Sequence, residues 1–235
     1  MRIKIMALVV ATAALAIGAL GGSATAALQN QLNVDILQKA QGSPATVKVF
    51  TTNEDSAGKI PERISKVILK SKSAKWNGKA VPKCTSAIQS NDQAAAPISP
   101  ACKSSTLVGT GTATVLAGIA GEPVPPQGGA NYVDAKLKIY NYKAQPGAKV
   151  SFLIEAISDQ PVPDAYIYMI ANISSNGTMT ANIPSPATIP TNLAQFYPGK
   201  NFSVIKFAAT LNPKRTKLFS LKKGNLNAEL TVVRE

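Results

Sequence analysis

The sequence predicts an all-β protein: an antiparallel β-sandwich of about 9–11 strands with one disulfide, preceded by a cleaved signal peptide. Three observations carry this expectation. Short segments alternate apolar and polar residues at period two, as half-buried strands do. Turn signals built from Gly, Pro and Asn separate those segments at intervals of about 8 to 15 residues. No window after the first stretch shows the apolar repeat of an amphipathic helix.

The first stretch, MRIKIMALVVATAALAIGALGGSATAALQ, has a basic start at Arg2 and Lys4, an apolar run from Ile5, and small residues ending in Ala24-Thr25-Ala26. That order is the signature of a secretory signal, with cleavage expected after Ala26. The apolar run is short for a membrane span of ~20 residues, and no Cys at the junction offers a lipid anchor. No second long apolar run follows, so no integral membrane span is expected in the mature chain. Residues 27–235 are expected to form a single domain, secreted or associated with the cell envelope.

Strand candidates then follow in order. LNVDILQK, TVKVFT and ISKVILKSK are rich in Val and Ile. The Pro- and Gly-rich stretch at 121–129 reads as a long loop, with two smaller β domains as the alternative. VDAKLKIYN sets Val133, Ala135, Leu137 and Ile139 against Asp134, Lys136, Lys138 and Tyr140. KVSFLIEAI places Val150, Phe152, Ile154 and Ala156 on one face, after the turn signal Gln145-Pro146-Gly147. AYIYMIANIS and TMTANI flank Asn176-Gly177, a pair suited to a tight hairpin turn. SVIKFAATL follows, and TKLFSL and NAELTVV flank Gly224-Asn225, read as a further hairpin.

CKSSTLVGTGTATV, residues 102–115, invites a reading as a phosphate loop. A Walker loop needs a Lys after its last Gly and a helix facing the phosphates. Here Gly111 precedes Thr-Ala-Thr-Val-Leu, and Thr114 stands where a dinucleotide fingerprint needs its third Gly. Gly109 and Gly111 are therefore expected inside a strand, where a neighbour packs closely or a bulge forms. No nucleotide and no cofactor is expected.

The chain has no histidine. Nucleophile systems that rely on His and His-based metal sites are thereby removed, and two thiols alone cannot complete a tetrahedral metal site. Cys84 and Cys102, lacking C-x-x-C spacing, most simply pair with each other in an oxidising compartment. Two carboxylates across a cleft are what a glycosidase needs. Of the 12 acidic residues most lie in turns; Glu155 sits mid-strand, expected to face solvent or pair with a Lys across the strand. The chain is accordingly read as non-enzymatic. A carboxylate-dependent hydrolase of cell-wall polymer or polysaccharide is the alternative, to be favoured if Glu155 and Asp134 meet in one cleft. A structural envelope protein that associates with itself through strand edges is a third reading.

The net charge of +13 at pH 7, lowered by two on loss of Arg2 and Lys4, favours attraction to polyanions. Two clusters concentrate it. The first contributes Lys66, Lys70, Lys72, Lys75 and Lys79; the second contributes Lys206, Lys214, Arg215, Lys217, Lys222 and Lys223, in a stretch from Ala165 to Ala228 without an acidic residue. Trp76, beside Asn77-Gly78, is either a core residue or a stacking contact among these lysines. Tyr140, Tyr142, Tyr166 and Tyr168 are either a carbohydrate platform or cross-strand packing. The expected role is binding to anionic cell-wall polymers or polysaccharide.

Pro82 and Cys84, then Cys102, Ser105, Val108, Gly109, Gly111 and Ala113, followed by AKLKIYN, resemble a family of exported proteins from high-GC Gram-positive bacteria. The family pattern is a P-x-C, then C-x-x-S-x-x-V-G-x-G-x-A on the strand behind the second cysteine. The resemblance implies a Cys84–Cys102 bridge and a β-sandwich. The family has no assigned activity, so no reaction is implied.

Overall fold

The computed structural model describes residues 2–8, 28–38, 43–55, 58–71, 73–88, 102–127, 129–160, 165–185, 191–214, 216–221 and 228–234. Strands dominate: β1 (Arg2–Leu8), β2 (Leu28–Gln38), β3 (Ala45–Asp55), β4 (Ile64–Ser71), β5 (Ala74–Trp76), β6 (Leu107–Gly118) and β7 (Tyr132–Tyr142). They continue with β8 (Val150–Gln160), β9 (Tyr166–Ile173), β10 (Met179–Asn182), β11 (Asn201–Leu211), β12 (Phe219–Leu221) and β13 (Ala228–Arg234). A six-residue helix, α1 (Thr191–Phe196), precedes β11.

Eleven strands form one antiparallel sheet in the order β1-β2-β3-β11-β6-β7-β8-β9-β10-β4-β13, and β12 pairs with β5 in a second sheet of two strands. The large sheet curls so that β3 faces β4 and β13. Val47 and Val49 of β3 share a cluster with Leu69 of β4, with Phe219 and Leu221 of β12 between them. At the far edge the Arg234 guanidinium of β13 donates to Asn53 Oδ1 of β3 at 2.8 Å. The curl brings the inner faces together, as alternation at period two requires when only one face is apolar. Val133, Leu137 and Ile139 of β7 and Val150 and Phe152 of β8 point inward and are buried as expected. Each such side chain contributes on the order of 1.5–3 kcal/mol through burial.

Within CKSSTLVGTGTATV, Ser104–Thr106 make one 3-10 turn and strand β6 runs on from Leu107, with Gly109 and Gly111 inside it as expected. A Cβ on Gly111 would stand 2.1 Å from the Ala208 carbonyl oxygen, and one on Gly109 would stand 2.7 Å from that of Thr210. Both positions exclude any larger residue because β11 passes so close. The ladder between β6 and β7 also shifts between Leu107 and Gly109. Loop 121–129 joins β6 to β7, which pair directly with each other. Gly147 takes φ 76° at the expected turn before β8, and Gly177 takes φ 87° between β9 and β10.

Two expectations are corrected, and one is decided between its alternatives. The hairpin around Gly224-Asn225 does not form from its flanking strands: β12 pairs with β5 and β13 with β4. The turn residues themselves lie outside the described ones. Tyr140 is buried although it shares the outward face of β7 with Lys136 and Lys138. Of the two courses expected of Glu155, exposure to solvent is not taken, its exposure being 0 %, while pairing with a Lys across the strand is, with Lys138 Nζ 3.8 Å from its Oε2.

One feature explains both burials. The Cys84–Cys102 bridge, with Cα atoms 5.2 Å apart, holds a segment against the outer face of β7, β8 and β9. Cys84, Tyr140, Tyr142, Leu153 and Tyr168 form a second small core there, outside the sandwich. Residues 9–27, which hold the expected cleavage site, lie outside the described ones. Arg2–Leu8 pairs antiparallel with β2 along its outer edge.

Candidate functional site

The end of the sandwich where β3, β6 and β8 begin and β4, β7, β9 and β11 finish collects several of the lysines. Asn212 builds the turn between β11 and β12. It takes φ 54°, a left-handed conformation that Asn adopts more readily than most side chains. Its Nδ2 donates to the Ala45 carbonyl at 2.7 Å and the Thr216 carbonyl at 2.9 Å. Its Oδ1 accepts from Thr216 N at 2.8 Å and Thr216 Oγ1 at 2.7 Å. Lys214 and Lys217, both exposed, are carried by this turn.

The same turn runs into β12, whose Phe219 and Ser220 pair with Trp76 and Lys75 of β5. Asn77 N donates to the Leu218 carbonyl at 2.9 Å, extending the pairing toward Lys79. Lys75 and Lys79 from the first basic cluster thus share this end with Lys214 and Lys217 from the second. Trp76 faces inward, its ring centroid 4.6 Å from Phe219 and 5.6 Å from Phe152. Its ring packs in the core and so anchors the lysine-bearing pair of strands.

Asn141, fully buried, fastens the 77–82 segment to β7. Its Nδ2 lies 3.0 Å from the Gly78 carbonyl oxygen and 2.7 Å from that of Val81, and its backbone carbonyl accepts from Cys84 N at 2.8 Å. Lys143 N then donates to the Cys84 carbonyl at 2.9 Å, and Gly78 packs on Val150, next to Lys149. Lys83, Lys103, Lys143 and Lys149 are exposed around this framework. Among the described residues, the loops at this end carry no Asp or Glu. The ion pairs Lys136–Asp159 at 2.9 Å and Lys200–Glu122 at 3.9 Å lie at the opposite end.

The remaining sequence candidates are dispersed. Lys66 and Lys70 are exposed on β4, and Lys70 stands opposite Glu229 in the ladder with β13. Lys206 is half-buried on β11, between Thr52 and Thr114 in register. Lys72, Arg215, Lys222 and Lys223 lie outside the described residues. Sequence reading had Lys83 at the end of the first basic cluster but missed Lys103, Lys143 and Lys149, which belong to neither cluster. The signal for Lys143 and Lys149 was the Gln145-Pro146-Gly147 turn between them, once β7 and β8 are aligned with β5.

The carboxylates do not meet. Glu155 is sealed beneath the disulfide-held segment, where Tyr140 Oη donates to its Oε2 at 3.2 Å and Lys138 Nζ approaches to 3.8 Å. Asp134 is exposed and accepts from Thr114 Oγ1 at 2.7 Å. Lys138 is opposite Glu155 in the ladder, so Asp134 stands four positions further along β7. Burial, reinforced by the Glu155 charge, pushes the Tyr140 and Tyr168 phenols well above the ordinary tyrosine value. Tyr140, Tyr142 and Tyr168 therefore pack rather than present a platform.

No group of three or more potential metal ligands occurs among the described residues, and no described helix is long and apolar enough to cross a membrane. Comparison with protein-family models, with curated proteins and with solved structures finds no match.

Proposed function

We propose that the protein is an exported, non-catalytic β-sandwich that captures anionic polymers of the cell envelope on its lysine-rich end. The observation that carries this reading is the β5–β12 pairing, which joins two basic clusters far apart in sequence into one surface. Like charges held together destabilise a fold, so their collection at an end whose described loops carry no Asp or Glu favours a ligand that neutralises them. Attraction of this kind is long-ranged and is screened over ~10 Å at 0.1 M salt. The polymer is an anionic cell-wall polymer or an acidic polysaccharide, met on the outside of the cell.

The test is co-sedimentation of the protein with envelope fragments of its source at low and at high salt. The reading expects capture at low salt that high salt abolishes. Capture that ignores salt, or no capture at all, would contradict it.

A further inference from the structure

A second surface lies on the outer face of β3, β11 and β6. The registers set three cross-strand rows there: Lys48–Thr210–Thr110, Phe50–Ala208–Thr112 and Thr52–Lys206–Thr114. Neighbouring strands are ~4.8 Å apart and successive same-face residues ~6.7 Å apart, so the rows make a shallow grid. At its centre Ala208 is small, and a trough of about 560 Å³ opens over it, lined by Lys48, Phe50, Thr110, Thr112 and Thr210 among others. Phe50 is 42 % exposed at the margin, one of few large apolar side chains left in water. The hydroxyls of Thr110, Thr112 and Thr210 have no partner among the described residues.

We infer that this trough binds sugar rings of an acidic glycan. The apolar C–H face of a pyranose would cover the Phe50 ring and remove both from water. The threonine hydroxyls, each both donor and acceptor, suit the hydroxyls of a sugar. Lys48, at one corner of the grid, and Lys206, in the middle of its far row, complement carboxylate groups carried on successive sugars. The volume is within the range of small-ligand sites, ~300–1,000 Å³. A single-stranded nucleic acid fits less well, since such sites stack successive bases on several aromatic rings and this one offers Phe50 alone. The surface is separate from the lysine-rich end, and the inference stands or falls independently of it.

The probes are a defined-length oligogalacturonate, a neutral oligosaccharide of the same length, inorganic polyphosphate and a single-stranded oligonucleotide, each titrated by calorimetry. Ala208→Trp fills the trough from a side chain already directed outward, and Phe50→Ala removes the stacking ring without opening a core cavity. Trp76 fluorescence of Phe50→Ala and far-ultraviolet dichroism of both variants check that they fold. The expected result is that the folded protein binds oligogalacturonate, each variant weakens that binding at least tenfold, and neither alters polyphosphate binding. Binding of the neutral oligosaccharide is expected to be at least tenfold weaker. Three results would overturn the inference: oligogalacturonate bound by Phe50→Ala as tightly as by the unaltered protein, no oligogalacturonate binding at all, or an oligonucleotide bound more tightly and lost in both variants. Polyphosphate binding that persists in the second case would leave the lysine-rich end standing while the trough reading fails.

Discussion

Asn212 concentrates more structure than any other polar residue near the lysine-rich end. It is 2 % exposed, has a positive φ, and ties the start of β3 to the turn that carries Lys214 and Lys217. Asn212→Ala removes the partner of buried backbone groups and puts a Cβ residue with no local hydrogen bond into a left-handed conformation. The expected loss is roughly 3 kcal/mol, read from urea unfolding followed by Trp76 fluorescence. Asn212→Gly recovers the part due to φ and not the part due to hydrogen bonding. Asn212 was not legible in the sequence, because Asn in a loop is common and only the coordinates of Ala45 and Thr216 give it a task. Trp76 was legible as a pair of alternatives. Its neighbours Phe152 and Phe219 are distant in sequence, and periodicity carries no information about which strands meet.

At the scale of elements, alternation at period two was the dependable signal. It placed β7 and β8 correctly on their inner faces, and the turn residues at Gly147 and Gly177 took the conformations that glycine permits. It failed where a second layer covers the outer face. Tyr140 and Glu155 sit on the polar side of their strands, yet the segment held by Cys84–Cys102 buries both. A lone loop of about 18 residues closed by that bridge is expected to contribute about 3 kcal/mol, so Cys84→Ala with Cys102→Ala should lower unfolding stability by that order. The same covered face predicts alkaline sensitivity. Tyr140 and Tyr168 have raised values in the folded state, so above pH 10.0 the unfolded chain gives up protons that the folded one keeps. Their contribution is complete below that pH and declines as it rises toward the folded values. A fall in the unfolding midpoint between neutral pH and pH 11 is the expected outcome in thermal scans; a flat profile would show that these phenols titrate freely. The β5–β12 pairing was not legible at all. Three-residue strands show no period, and Gly224-Asn225 suggested a hairpin that the chain does not make. Helix α1 escaped notice for the same reason of length.

Over the whole molecule, the antiparallel order brings lysines that are scattered in the chain to a common end. Each strand reversal returns the chain to one of two ends, and Lys75, Lys79, Lys143, Lys149, Lys214 and Lys217 come back to the same one. Glu62, Glu122, Asp134 and Asp159 gather toward the other. Net charge and clusters were legible from composition, whereas their convergence depended on which strands pair. The first stretch has its own consequence. Cleavage after Ala26 would remove β1 and leave β2 as the sheet edge, so export as proposed predicts that the intact mass of protein recovered outside the cell is that of residues 27–235. A mass that retains Arg2–Leu8 would contradict the processing.

The most direct test of the central claim is a comparison of two charge reversals in capture by envelope fragments at low salt. One changes Lys75, Lys79, Lys214 and Lys217 to Glu; the other changes Lys59 and Lys66, which are exposed away from that end. The account predicts that the first loses most capture, at least tenfold, while the second retains most of it. Equal losses per charge changed would mean that net charge alone governs binding, and would contradict a site built by the pairing of β5 with β12.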